Sequence, residues 1–219
     1  MADPKRVLIT SANRGIGLVF AKHYEAQGWN VVAAVRDPES ATEVVACVAG
    51  GENHHDGHGR RSVGRGGGQA NHDPIDLFIN NACICIRQDS LATATKADIL
   101  QQLDVNAIGP WLVTRALVAN LELATRGNNF ANFPGEYGYH ASKAALNILT
   151  KSLCVDLKPR GIACVLLSPG YLATDMNAKV GHLTANETVA GMTQLSVLNR
   201  VTLDDSGKFL HMDGMIVEW

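Results

Sequence analysis

The sequence predicts an α/β fold, a doubly wound parallel sheet with helices on both faces, and three observations point to it. Short β-branched runs alternate with longer stretches whose apolar residues recur at helical spacing, the order that parallel strands joined by crossover helices require. The first such junction carries Gly15 and Gly17 between a strand pattern and a helix pattern. At 219 residues and 46% apolar composition, the chain fits one domain over residues 1–219 with a single large core.

The elements follow in order. Arg6 to Thr10 (RVLIT) reads as the first strand, and Gly15 to Gln27 as a helix that Gly28 stops. Trp29 to Val35 is the second strand, and Ser40 to Cys47 reads as a helix. Ile75 to Ile79 is a buried strand running into Asn80-Asn81. Helical spacing covers Lys96 to Thr125, with a break near Gly109-Pro110, and again Tyr137 to Leu157. Gly161 to Leu167 is a further strand ending at Ser168-Pro169-Gly170, followed by a helix over Asn186 to Gln194 and a short strand, Lys208 to His211. Two stretches break the alternation. Gly50 to Asn71 is rich in Gly, Arg and His where a third strand belongs, and Arg126 to Gly135 is loop-like where a fifth belongs. The third and fifth strands are therefore expected to be disrupted or absent.

Composition narrows the function classes. A formal net charge of −2 gives no reason to expect nucleic acid or an anionic membrane surface as partner. No run approaches the roughly 20 apolar residues of a membrane span, and the polar start Met1 to Arg6 lacks a signal-peptide core. Five cysteines, an odd number set in apolar runs, read as reduced thiols in a cytoplasmic compartment. Cys83-x-Cys85 has no second pair at ligand spacing and His54-His55-x-x-His58 has no supporting ligands, so no metal site is expected. The three arginines of Arg60 to Gly68 lack the aromatic residues that single-strand binding uses. Residues 50–71 read as a disordered basic loop. Back-translated and read one base later, Glu52 to His58 becomes a strand-like run of Lys/Arg, Ile/Thr and Met/Thr codons reaching a codon that permits Asp. The segment is accordingly read as out-of-frame translation between compensating shifts.

Three motifs carry chemistry. In Thr10-Ser11-Ala12-Asn13-Arg14-Gly15-Ile16-Gly17, a glycine-bearing turn opens a helix straight after a strand. The free N–H groups and positive dipole of that helix end suit a pyrophosphate, while the glycines let backbone approach closely, so the turn predicts dinucleotide binding. Arg36 directly follows the second strand and precedes Asp37. An arginine there pairs with the 2′-phosphate of NADP, whereas an acid prefers the ribose hydroxyls of NAD, so NADP(H) is favoured over NAD(H). Tyr139 and Lys143 stand four apart on one helix face, where the cation is expected to favour the ionised phenol and equip it for proton transfer.

With these residues in place the sequence resembles the short-chain dehydrogenase/reductase family. The resemblance runs through Thr10 to Gly17, Asn80-Asn81-Ala82, Asn106, Tyr139 to Lys143, and Pro169-Gly170 with Thr174. The wording VLITSANRGIG, AAVRDP, LFINNA and ASKAALN is similar to its C-factor and sniffer-like carbonyl-reductase branch. This implies a Rossmann-like fold and NADP(H)-dependent reduction of a small-molecule carbonyl, or oxidation of the alcohol. It further implies that Tyr139 exchanges the proton, Lys143 lowers the Tyr139 pKa and holds the ribose, and Asn106 supports a relay water. By the same resemblance Ser11, Asn13, Arg14, Gly15, Ile16, Gly17 and Arg36 hold the adenosine and phosphates. Asn80, Asn81 and Ala82 border the cofactor groove, and Pro169, Gly170 and Thr174 meet the nicotinamide end. The two long helices pair in a homodimer in many such enzymes.

The sequence also departs from the family. Ser11 stands where the first glycine of the turn belongs, and its Cβ is expected to strain that position. Cys83 replaces the glycine that follows Asn-Asn-Ala. Both are expected to weaken cofactor binding. The offset of the catalytic serine lands on Thr125 and Arg126 with no β-branched run before them, and the span from Asn106 to Tyr139 is too short for helix, strand and serine loop together. Ser142 is expected to face away from the reacting groups. An alternative function follows: a dinucleotide-binding relative whose catalysis is impaired.

Overall fold

The computed structural model describes residues 4–36, 41, 73–86, 93–123, 137–174, 176, 179–195, 198 and 200–218. The expected helix over Ser40 to Cys47 (Ala41 apart), the basic loop 50–71, Thr125 and the stretch Arg126 to Gly135 lie outside these residues.

Three strands, β1 (Arg6–Thr10), β2 (Asn30–Ala34) and β3 (Leu77–Ile79), form a parallel sheet in the order β2-β1-β3. Arg6 aligns with Asn30 and Thr10 with Ala34 on one side of β1, and Val7 with Leu77 and Ile9 with Ile79 on the other. Side chains alternate across a strand, so β1 feeds two cores. Val7 and Ile9 pack on one face with Phe20, Ala21 and Tyr24 of α1 (Gly15–Ala26). Leu8 and Phe78 turn to the other face and meet Leu117, Leu121, Leu153 and Leu157. Those leucines come from α3 (Gly109–Glu122) and α4 (Tyr137–Leu157). The sheet is doubly wound, an α/β Rossmann-like arrangement, as the alternation of elements predicts.

A second parallel pair, β4 (Leu166–Ser168) with β5 (Phe209–His211), completes the described strands. Among the described residues no strand joins β3 to β4, yet their side chains share one core: Leu77 and Ile79 cluster with Val165, Leu167 and Leu210. The strand expected over Gly161 to Leu167 is correspondingly shorter. Residues Ile162 to Val165 are buried, but the ladder begins only at Leu166, where Lys208 supplies a carbonyl to its N–H. A strand is defined by its neighbours, and 162–165 have no laddered neighbour among the described residues. A narrow cleft lined by Asn80, Trp111, Thr114, Leu146, Thr150 and Leu153 opens between the end of β3 and helices α3 and α4.

The long helical stretch after residue 95 divides as its proline requires. Helix α2 (Lys96–Leu103) is capped by Thr95, whose hydroxyl accepts the Asp98 N–H. It widens into a π-helical turn, Asp104–Ile108, before α3 begins with Pro110 in its first turn, where the missing N–H costs nothing. The break expected near Gly109-Pro110 is thus a widened turn just ahead of it. The last helix, expected over Asn186 to Gln194, is α5 (Ala185–Ala190) with a π-helical turn, Gly191–Leu195, at its end. Thr184 and Glu187 form a capping box at its start.

Candidate functional site

The glycine turn is tightly specified. Ser11 has φ +55° and Gly15 φ +52°, both left-handed. The Ser11 N–H donates to the Ala34 carbonyl (2.8 Å), and Arg14 takes the N-cap of α1 without a side-chain cap. Gly17 admits no side chain: a Cβ there would stand 2.3 Å from the Ser11 carbonyl oxygen and 2.5 Å from Asn81 Nδ2. The uncapped helix end and the glycine cradle fit a phosphate group. Asn13 is half-buried in the turn, and Ile16 packs its side chain on the core. The strain expected at Ser11 is present in the backbone, since left-handed φ costs a non-glycine residue about 1–2 kcal/mol. Ser11→Gly is predicted to raise stability by roughly 1 kcal/mol, offset in part by glycine's unfolded-state entropy; a urea midpoint unchanged or lowered would contradict this.

Behind the turn, residues 80–84 run as an irregular strap. Asn81 Nδ2 donates to the carbonyls of Thr10 (3.0 Å) and Ser11 (3.3 Å). Thr10 Oγ1 in turn accepts the N–H groups of Asn81 (2.9 Å) and Ala82 (3.0 Å). Asn80 is buried and donates to Thr114 Oγ1 (3.2 Å). Asn106 then ties the strap to α4. Its Oδ1 accepts the Ile84 N–H (2.8 Å), while Nδ2 donates to the Ile84 carbonyl (2.8 Å) and to Ser142 Oγ (3.0 Å). Ser142 Oγ donates onward to the Tyr139 carbonyl (2.7 Å). Ser142 is fully buried and points at Asn106.

Tyr139 and Lys143 meet as their spacing requires, with Lys143 Nζ 5.5 Å from the Tyr139 ring centroid and both residues buried. The expectation that Lys143 lowers the phenol's pKa is not met in this arrangement. Burial pushes the Tyr139 pKa up, and the Cys83 thiol, hydrogen-bonded to the phenol, adds to the rise together with Cys85. The ammonium lies over the ring, and burial with the two thiols keeps the phenol protonated through the neutral range. Cys83 is thus in contact with the key hydroxyl, a role that sequence reasoning missed. Its one signal was the departure from glycine.

The remaining residues lie on other elements. Arg36 is exposed just beyond β2, with no ion-pair partner among the described residues. Pro169 and Gly170 follow β4; Gly170 has φ +79°, and its carbonyl neighbour Pro169 accepts from Thr188 Oγ1 (3.2 Å). Thr174 is half-buried, and its carbonyl accepts the Lys179 N–H (2.7 Å). The segment after Gly170 folds back on itself through a bridge between Leu172 and Leu183.

A glycine-bearing turn at the end of a parallel strand, coupled through a polar strap to a helix bearing a buried phenol and ammonium, agrees with the class of oxidoreductase to which the comparisons assign the chain. The short chain dehydrogenase model matches residues 5–184, and the chain belongs to the short-chain dehydrogenase/reductase family. Among relatives, it is 35% identical over 157 residues to "C-signal" of Myxococcus xanthus, covering 67% of this chain and 93% of that protein. The structure of NADPH-bound carbonyl reductase from chicken fatty liver matches with a TM-score of 0.80 at 27% identity, covering 100% of both chains. Carbonyl reductase Sniffer of D. melanogaster shares the fold, with a TM-score of 0.78 at 24% identity over 99% of this chain and 100% of that one. No described helix is long and apolar enough to cross a membrane.

Proposed function

We propose that this chain reduces a small-molecule carbonyl with NADPH, using Tyr139 as the proton donor. The observation that carries the reading is the buried Tyr139–Lys143 pair, whose phenol is held protonated. The dinucleotide, when bound, supplies the hydride. Tyr139 then gives its phenolic proton to the developing alkoxide. Alcohol oxidation would need the ionised phenol, which burial opposes, so the site favours the reductive sense. Lys143 offsets the negative charge left on Tyr139 and holds the ribose. Asn106 fixes the strap and α4 in register, and any relay water would depend on that frame. The turn from Ser11 to Gly17 holds the pyrophosphate, and Asn80, Asn81 and Ala82 wall the groove. Pro169, Gly170 and Thr174 serve the nicotinamide end. Arg36, exposed and without an ion-pair partner among the described residues, supports NADPH over NADH by offering its guanidinium to the 2′-phosphate. Exposed Leu112 and Val113 on α3 with Ile148 and Val155 on α4 support a homodimer that covers these helices.

The Cys83–Tyr139 contact favours a second reading, a dinucleotide-binding chain of reduced turnover, because the phenol that the reaction would use is already engaged by a thiol. Calorimetric titration with NADPH and NADH, followed by NADPH oxidation against a carbonyl panel, separates the two. Binding with turnover supports the reductase, binding alone supports the second reading, and no binding overturns both. Cys83→Gly is predicted to raise turnover about two- to tenfold, the rate equivalent of one net hydrogen bond of roughly 0.5–1.5 kcal/mol. A kcat equal to that of the parent would show that the thiol does not restrain Tyr139.

A further inference from the structure

We propose that Cys154 and Cys164 form a second reactive site, a dithiol that a hydroperoxide converts to a disulfide clamping α4 to the chain entering β4. The pair is remote in sequence role from the Tyr139 cluster and is built by three segments. Cys154 lies on the core side of α4, its thiol donates to the Cys164 carbonyl oxygen (3.2 Å), and both side chains pack in the same buried cluster. Ser206 Oγ accepts the Cys164 N–H (3.2 Å), the Gly207 N–H donates to the Cys164 carbonyl (2.8 Å), and Lys151 Nζ donates to the Gly207 carbonyl (2.7 Å). Gly207 packs beside the pair: a Cβ built there would sit 3.5 Å from Lys151 Nζ and 3.8 Å from Cys154 Sγ. One thiol and an ammonium therefore meet at this glycine, and the second cysteine is tied to the same turn through its own N–H and carbonyl.

The two thiols are not equivalent. Hydrogen bonding from Cys164 draws the Cys154 pKa down to about 7 against the cost of burial, with Ser206 and Lys151 assisting, whereas the same contact and burial push Cys164 up. Cys154 is 7% exposed and Cys164 1%. The outer sulfur is thus the one that ionises and meets a small oxidant, and the inner one is the resolving thiol. The Cys154 thiolate attacks one peroxide oxygen and the O–O bond breaks, giving a sulfenic acid and, after protonation, water. The Cys164 sulfur then displaces the sulfenic oxygen as a second water while its proton leaves with it. Two thiols lose two electrons and hydrogen peroxide gains them.

The test is hydrogen peroxide treatment of the native full chain, alkylation of remaining thiols under denaturing conditions, and non-reducing tryptic mapping. The expected product joins peptides 152–160 and 161–179, two hydrogens lighter than their sum and separable by a reductant. In Cys164→Ser, Cys154 should instead be trapped by dimedone as the sulfenic acid; in Cys154→Ser, Cys164 should remain alkylatable. The proposal is overturned if Cys154 and Cys164 both stay alkylatable after peroxide treatment, or if the cross-link joins other cysteines. Mapping of the unaltered chain decides the matter even if a variant fails to fold.

Discussion

Tyr139→Phe is expected to remove carbonyl reduction while leaving NADPH binding within a few-fold of the parent. The side chain is buried within α4, and phenylalanine keeps its volume and the ring face beneath Lys143. What disappears is the hydroxyl, the group that Cys83 engages and that the proposed reaction uses as acid. General acid catalysis is worth about 10²–10⁴ in rate, or roughly 3–5 kcal/mol of barrier. Folding should change little, because the thiol left behind is half-exposed and can find water. The measurement is kcat/KM from NADPH absorbance beside a binding titration on the same preparation. Full activity in the variant would remove Tyr139 from the chemistry; lost binding would show that the residue serves the cofactor and not the proton.

The parts of this molecule legible in its sequence are those that local physics decides. Strand β1 and helix α1 are bounded where the apolar period and Gly28 place them, and α4 begins at Tyr137 and ends at Leu157 as its pattern predicts. The left-handed φ of Ser11 was legible as well, because the turn needs glycine geometry whatever residue occupies it. The site was less legible because its remaining contacts are between segments distant in sequence. Nothing in the local pattern around Ser142 says that its hydroxyl meets Asn106, 36 residues away, or that Asn106 spends its amide on Ile84. The orientation of Lys143 was misjudged for a related reason. Spacing of i, i+4 brings two side chains together, but whether an ammonium lies at a phenol's oxygen or over its ring depends on what else crowds the oxygen. Here that neighbour is Cys83, delivered by the strap that follows β3. The shortened β4 likewise depends on backbone partners, which no property of Gly161 to Leu167 specifies.

Asn106→Ala is the second change expected to have a large effect, and its effect is on the frame. Asn106 is buried, and its amide satisfies the Ile84 N–H, the Ile84 carbonyl and the Ser142 hydroxyl together. Truncation leaves all three without that partner. An unsatisfied buried polar group costs about 1–3 kcal/mol, and the half-buried strap can recruit some water, so a total of roughly 2–5 kcal/mol is expected. Against a typical net stability of about 5–15 kcal/mol, that is a large share. The urea midpoint should fall, and the strap and α4 should lose hydrogen-exchange protection together, because one side chain couples them. Asn106→Asp separates the hydrogen bonds from the packing. One carboxylate oxygen can still accept the Ile84 N–H, but the other would face the Ile84 carbonyl that Nδ2 now serves, and only a protonated acid can donate there. Burial and that carbonyl therefore raise the folded-state pKa of the introduced acid above its unfolded value of about 3.9. A raised carboxyl pKa contributes its stability in full below the unfolded value and loses it as pH climbs toward the folded one. Asn106→Asp should thus lie closer to the parent in stability near pH 4 than near pH 7, whereas the deficit of Asn106→Ala should not follow pH. Equal deficits for the two variants at both pH values would mean that the amide's donation to Ile84 does not hold the strap.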